Sequence, residues 1–190
     1  MRARQGPDTR KIWQWAGLAC LAIIVGVLER NGYGRSGGDG QRPRSSQTIP
    51  ASGVVEGHPK LVDGDSFYLN GTEVRMLGID APEGRQTCER QGRSWPCGED
   101  ARRHLALFIG GRSISCRGDE PDQHGRMLGT CTVNGRNLNR DMVTSGFAVS
   151  FGALYNREER EARDARRGLW SGQFQKPQDW RHAHGIGGPR

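Results

Sequence analysis

A mainly β domain with about three helices, closed as a five-stranded barrel, is the fold class this sequence predicts. Three observations lead there. Short runs of strand-type residues are set off by Asn-Gly and Asp-Gly pairs. One amphipathic helical stripe falls between the third and fourth of those runs. Glycine supplies 29 of 190 residues, which favours a loop-rich β fold over a helical bundle. Hydrophobic residues make up 34% and charged residues 26%, a polar composition but not that of a fully disordered chain. The length suits one domain with extra segments, and no internal repeat points to a solenoid or propeller.

Gly53-Val54-Val55-Glu56-Gly57 reads as the first strand and Ser66-Phe67-Tyr68-Leu69, after the turn Asp63-Gly64-Asp65, as the second. Asn70-Gly71 is a two-residue hairpin signal. The third strand is expected over Glu73–Ile79, stopped by Asp80-Ala81-Pro82-Glu83. From Glu99 to Ile109 the apolar residues Ala101, Leu105, Phe108 and Ile109 recur at helical spacing, and Gly110-Gly111 ends that helix. Arg112–Cys116 and Met127–Val133 are strands four and five, the latter closed by Asn134-Gly135. Asn139 is placed as the cap of a short helix carrying Met142 and Val143, and Asn156 as the cap of a last helix running to about Arg167. Five short strands with a helix after the third suit a small Greek-key barrel of the OB type.

Ahead of this domain, residues 12–28 form an apolar run with one polar member, Gln14, preceded by Arg2, Arg4, Arg10 and Lys11. No small-residue cleavage site follows. Residues 1–30 therefore read as an uncleaved signal anchor, a single-pass membrane helix with the C-terminal side extracytoplasmic (periplasmic); secretion after cleavage is the alternative. Residues 31–52, rich in Gly, Ser and Arg, are a flexible linker. The domain is expected over 53–182, with a disordered tail over 183–190.

Four cysteines fall in the domain, Cys88, Cys97, Cys116 and Cys131. An even number in a translocated domain favours disulfides. Cys88–Cys97 would close a short loop around Trp95-Pro96, and Cys116–Cys131 would bridge two adjacent strands; this is the favoured one of three pairings. No Cys-x-x-Cys knuckle supports zinc. Net charge is +7, but residues 1–52 hold 8 Lys and Arg against 3 Asp and Glu while the remainder holds 20 against 18. The body is nearly neutral, so bulk charge is a weak argument for nucleic acid.

Chemistry concentrates at turns. Asp65 stands at a strand start, and Asp80 and Glu83 flank Ala81-Pro82 at a strand end. Carboxylates so placed can converge, and hard oxygens suit Ca²⁺ or Mg²⁺. Arg75 lies five residues before Asp80 in the same expected strand, and Arg126 enters strand five. A divalent cation with two arginines is the equipment of phosphoryl transfer, and Glu83 is left to take a proton from water.

Asp63-Gly64-Asp65-Ser66, Arg75-Met76-Leu77-Gly78-Ile79-Asp80-Ala81-Pro82-Glu83, His124-Gly125-Arg126, Asn137-Leu138-Asn139 and Arg167-Gly168-Leu169-Trp170 follow one another in this order. Together they resemble the staphylococcal nuclease (thermonuclease) family, over about residues 53–172. The resemblance implies an OB-fold barrel and Ca²⁺-dependent hydrolysis of phosphodiester bonds in DNA and RNA that leaves 3′-phosphates. Asp65 and Asp80 then resemble the Ca²⁺ ligands, with Ala81 donating a backbone carbonyl. Glu83 resembles the residue that activates water, and Arg75 and Arg126 the phosphate-binding arginines. His124 stands where a tyrosine usually precedes Gly-Arg; with Phe151 and Tyr155 it is a candidate for stacking on substrate. The four cysteines resemble those of an exported, disulfide-bearing bacterial subset.

The expectation is thus a monomeric endonuclease tethered to the cell membrane by its N-terminal helix. The alternative is a non-catalytic nucleic-acid-binding OB module at the cell envelope; a bare envelope scaffold would lack affinity for polynucleotide. Of the smaller signals, His104 is expected to be solvated, Trp95 to anchor packing near Cys97, and the helix 157–167 to present a solvated charged face.

Overall fold

The computed structural model describes residues 53–119 and 121–186. The anchor assigned to 1–30, the linker over 31–52 and the last four residues of the tail lie outside the described residues. Among the described residues no helix is long and apolar enough to cross a membrane.

In chain order the elements are β1 (Gly53–Gly57), β2 (Lys60–Leu61), β3 (Ser66–Leu69), β4 (Thr72–Met76), β5 (Ile79–Asp80), β6 (Cys88–Arg90), β7 (Arg93–Trp95), α1 (Cys97–Ile109), β8 (Ile114–Gly118), β9 (Met127–Val133), β10 (Arg136–Asn137), α2 (Leu138–Thr144), β11 (Val149–Ser150), α3 (Asn156–Asp164), a 3₁₀ turn (Gly168–Ser171) and α4 (Pro177–Ala183). Seven strands form one sheet in the order β1-β8-β9-β4-β3-β2, with β10 added to β9. Its pairs are antiparallel except β4 with β9, which run parallel. The sheet curls into a half-barrel, and the Asn70 side chain, donating to the Glu56 carbonyl at 2.6 Å, ties the β3–β4 turn back to β1.

The five expected strands are the five longest, β1, β3, β4, β8 and β9. Period-two burial marks them: in β9, Met127, Gly129, Cys131 and Val133 point inward and their neighbours do not. Both Asn-Gly pairs have positive φ at both residues, as tight hairpin turns require. The remaining strands are two or three residues long and carry no readable period. The expected third strand is cut in two. β4 ends at Met76, Gly78 turns with φ +77°, and β5 leaves the main sheet to pair with β11.

α1 starts two residues earlier than expected and buries Ala101, Leu105 and Ile109 against the inner face of the sheet. Gly110 ends it in the left-handed conformation, its N–H donating to Ala106. α2 is capped by Asn137, not Asn139: the Asn137 side chain accepts the N–H of Arg140. Asn139 is instead fully buried inside α2. It accepts the Cys131 N–H at 2.9 Å and donates to Leu77 and Gly129 carbonyls at 2.9 and 3.0 Å. A polar side chain can enter the core here because all three partners are backbone groups, the Gly129 carbonyl also accepting the Leu77 N–H. α3 stops at Asp164 and follows Tyr155 without a side-chain cap. Its exposed face is laced by Arg157–Glu161 and Arg163–Glu159 pairs, as a solvated face should be.

Both favoured disulfides are present, Cys88–Cys97 and Cys116–Cys131. The second joins residues directly opposite in the β8–β9 register. The first closes the β6–β7 hairpin onto α1 and nucleates a second small core with Val149 and Leu169, against which Trp95, Trp170 and Phe174 pack. His104 is half-buried and not a free solvated ring: it stacks on Phe147 and meets Phe108 edge-on.

Candidate active site

The turn before β3 fixes the first carboxylate. Asp63 Oδ1 accepts the N–H groups of Asp65 and Ser66 and the Ser66 hydroxyl, at 3.0, 2.7 and 2.6 Å, a side-chain-made turn. Gly64 has to be glycine, since a Cβ there would lie 2.8 Å from the Cβ atoms of both Ala81 and Ala101. Asp65 is thereby pressed inward, 1% exposed, and its Oδ2 accepts the Ala81 N–H at 2.8 Å. Burial pushes its carboxyl well above the ordinary carboxylate range; Arg75 opposes that shift, and the nearby Asp63 and Asp80 reinforce it.

Asp80 reaches the same point because of the break at Gly78. In an unbroken strand, residues five apart face opposite sides and lie about 16 Å apart. Here Arg75 Nη2 sits 2.7 Å from Asp80 Oδ1 and 3.3 Å from Asp65 Oδ2. Arg75 is thus held between two buried carboxylates, with Asp65 first among the groups that stabilise its charge. Glu83 follows on a turn clamped by Gln86, whose backbone N–H donates to the Glu83 carbonyl at 2.7 Å and whose buried side chain accepts the Glu83 N–H at 3.3 Å. Gly98, at the start of α1, lets that helix approach the Glu83 carbonyl where any Cβ would collide.

Arg75 and Glu83 line a cleft of about 950 Å³ together with Asp63, His124, Arg126, Phe151 and Arg181, among others; Asp65 and Asp80, which Arg75 joins, are buried and do not line it. Arg126 therefore shares the cleft with Arg75 and Glu83, but its own partner is Asp122, at 2.8 Å from Nε and 2.7 Å from Nη2. Asp122 also accepts the N–H groups of His124 and Arg126. Partial burial works to raise its pKa, and these hydrogen bonds outweigh it and hold the carboxyl low. His124 is exposed at the cleft and Phe151 is 55% exposed there. Tyr155 departs from the expectation of a stacking surface: it is 5% exposed and packed in the core beneath Gly78, so it has no face to offer a substrate.

Sequence reasoning missed Arg181. It arrives from α4, donates from Nη1 to Asp80 Oδ1 at 2.9 Å and to Glu83 Oε1 at 2.8 Å, and from Nη2 to Asp80 Oδ2 at 3.2 Å. Burial works against its charge, and the hydrogen bonds to Asp80 and Glu83 outweigh it, raising the pKa. It lies 98 residues from Glu83 in sequence, and no spacing rule could have joined them. Ile186 lines the cleft as well and is bonded back to Arg181, so contacts with the site extend past residue 182.

The family model described as Staphylococcal nuclease homologue matches residues 73–172. The chain belongs to this family. It is similar to the Succinoglycan biosynthesis protein ExoI of Rhizobium meliloti (strain 1021), 30% identical over 130 residues, 65% of this chain and 68% of that protein. It is 39% identical over 123 residues to the Probable staphylococcal-like nuclease CAN2 of Oryza sativa subsp. japonica, 62% of this chain and 31% of that one. An Uncharacterized endonuclease of Escherichia coli O157:H7 is 31% identical over 135 residues, 65% and 82%. The chain spans about a third of the rice relative's length. The family match takes in Arg75, Asp80, Glu83 and Arg126; Asp65 lies ahead of it and Arg181 beyond it.

Proposed function

We propose that this chain is a Ca²⁺-dependent endonuclease that hydrolyses phosphodiester bonds of DNA, RNA or both and leaves 3′-phosphate ends. The observation that carries the reading is that Arg75 joins the buried Asp65 and Asp80, that Arg181 joins Asp80 to Glu83, and that Arg75, Glu83 and Arg126 line one cleft. Relatives named as nucleases support the same reaction class.

The donor chemistry fits the ion. Asp65 and Asp80 offer only hard carboxylate oxygens and both are buried; with Glu83 they make three carboxylates against the two guanidiniums of Arg75 and Arg181. Among the described residues no three His, Cys, Asp or Glu side chains are grouped to hold a metal. The protein's share would be the two aspartates with the Ala81 carbonyl, and Ca²⁺ accepts a set completed by water and substrate oxygens. When bound, the ion supplies charge neutralisation at the scissile phosphate.

The residues divide the remaining work. Glu83 accepts a proton from the attacking water, which displaces the 5′ oxygen in line. Arg75 and Arg126 offer guanidinium N–H groups to the charge that builds on the phosphoryl oxygens, and Arg126 would also donate to the departing 5′ oxygen. Phe151 and His124 provide flat surfaces for a base beside the cleft. Two disulfides suit an oxidising compartment, in keeping with a domain tethered outside the cytoplasm.

The test incubates the full chain with plasmid DNA and with RNA, with Ca²⁺ or with a chelator, beside Glu83→Gln and Arg126→Ala. Cleavage that needs Ca²⁺ and falls by orders of magnitude in both variants is expected. Binding without cleavage would point to a nucleic-acid-binding module instead, and digestion that survives chelation would remove the calcium step.

A further inference from the structure

The family match ends at Gly172, yet the site is completed by residues beyond it. The chain after the 3₁₀ turn is stitched to the disulfide hairpin. Glu89 and Gln173 exchange N–H···O bonds at 2.8 Å in both directions. Gln86, 1% exposed, donates from its side-chain amide to the Gln175 carbonyl at 2.7 Å. That same amide accepts the Glu83 N–H through its oxygen. One buried side chain thus joins the turn bearing Glu83 to the arm bearing Arg181. Pro177 then opens α4 at a position where the missing N–H costs nothing, and the helix delivers Arg181 onto Glu83 and Asp80.

We propose that Arg181 is a positioning residue for phosphodiester cleavage: its guanidinium bridges Asp80 to Glu83 and holds the Glu83 carboxylate at the edge of the cleft, aimed at the attacking water. This rests on the reading of Glu83 as the water-activating group. Three observations support it. A single nitrogen, Nη1, is shared between one oxygen of Asp80 and one of Glu83, so the two carboxylates are held in fixed relation. Asp80 is bound by both Nη atoms, which fixes the plane of the guanidinium. The Glu83 backbone is clamped by Gln86 at one end of the residue while its side chain is clamped by Arg181 at the other. A carboxylate on an unclamped turn would sample several rotamers. Misplacement by about 1 Å can cost on the order of 10² in rate.

The experiment compares the full chain with Arg181→Met and Arg181→Lys, each in the Glu83 and the Glu83→Gln background, reading kcat and KM on DNA and the thermal melt. The expected result is a kcat about 10²-fold lower for Arg181→Met with KM little changed, and partial recovery in Arg181→Lys. In the Glu83→Gln background, losing Arg181 should have little further effect, because residues that act as one unit are not additive. Loss that multiplies fully in that background overturns the proposal. So does a raised KM at constant kcat, which would make Arg181 a plain substrate contact, and so does a gain in activity, which would make it a plug. Should Arg181→Met fail to melt cooperatively, Arg181→Lys carries the same comparison. Absence of cleavage by the unsubstituted chain removes the nuclease reading and this inference with it; cleavage that is indifferent to Arg181 removes this inference alone.

Discussion

Nη2 of Arg75 lies 2.7 Å from Oδ1 of Asp80, although the two residues would sit on opposite faces of an unbroken strand. The kink at Gly78 makes the contact, and it places a permanent cation where two carboxylates would otherwise repel. Arg75→Ala is expected to lower kcat on the order of 10²- to 10³-fold, the loss typical of removing a donor to transition-state charge. Arg75→Lys should recover little, because one ammonium cannot serve two carboxylates and a phosphate in the geometry of a fork. Steady-state cleavage of plasmid measures both.

Asn139 makes three hydrogen bonds to backbone groups at the place where β4 breaks and β9 passes. Asn139→Leu fills similar volume but strands one N–H and withdraws donors from two carbonyls. A loss of about 3 kcal/mol in unfolding free energy is expected, read from urea denaturation. Asn137→Ala, which removes only the α2 cap, should cost about 1 kcal/mol.

The Cys88–Cys97 bond closes a short loop, with nine residues of separation, and braces the hairpin that carries the C-terminal arm. Replacing both cysteines with serine should lower stability by about 2–3 kcal/mol on the loop-entropy scale. It should also lower cleavage at temperatures well below the melt, as the arm bearing Arg181 loosens. Dithiothreitol should destabilise the unsubstituted chain further, because Cys116–Cys131 opens too.

His104 stacks on Phe147, and its Nε2 is buried without a partner among the described residues. Burial holds its pKa below the usual 6.5, with Asp141 acting the other way. The folded chain therefore favours neutral imidazole, while the unfolded chain takes a proton near pH 6.5. The stability this gives is present above about pH 6.5 and is lost as the pH falls through the lowered folded value. His104→Leu should flatten the fall in Tm between about pH 7 and pH 5, seen by thermal melts across that range.

Where the chain's own local chemistry decides the outcome, the sequence was enough. β9 could be placed as a run of strand-type residues closed by Asn134-Gly135. Both Asn-Gly turns could be placed because few other pairs tolerate positive φ twice. The α1 stripe and its Gly110 end needed only the helical repeat, and the pairing of Cys116 with Cys131 needed only that their strands be neighbours. Asp65, Arg75, Asp80, Glu83 and Arg126 were legible as motifs in order.

What folding alone decided were the long-range placements, where no local energy term distinguishes one partner from another. The two-residue strands β5 and β11 exist because each offers the other hydrogen bonds across about 70 residues of chain, whereas β6 and β7 form a local hairpin over Gln91-Gly92, a turn without an Asn-Gly signal. Tyr155 is buried because Gly78 leaves room above it. Asn139 turned inward because backbone groups of Leu77, Gly129 and Cys131 meet its side chain there. Arg181 reached Glu83 because a disulfide hairpin and one buried glutamine guide the C-terminal arm across the site. Contacts of that kind come from packing between distant segments, and sequence periodicity carries no record of them.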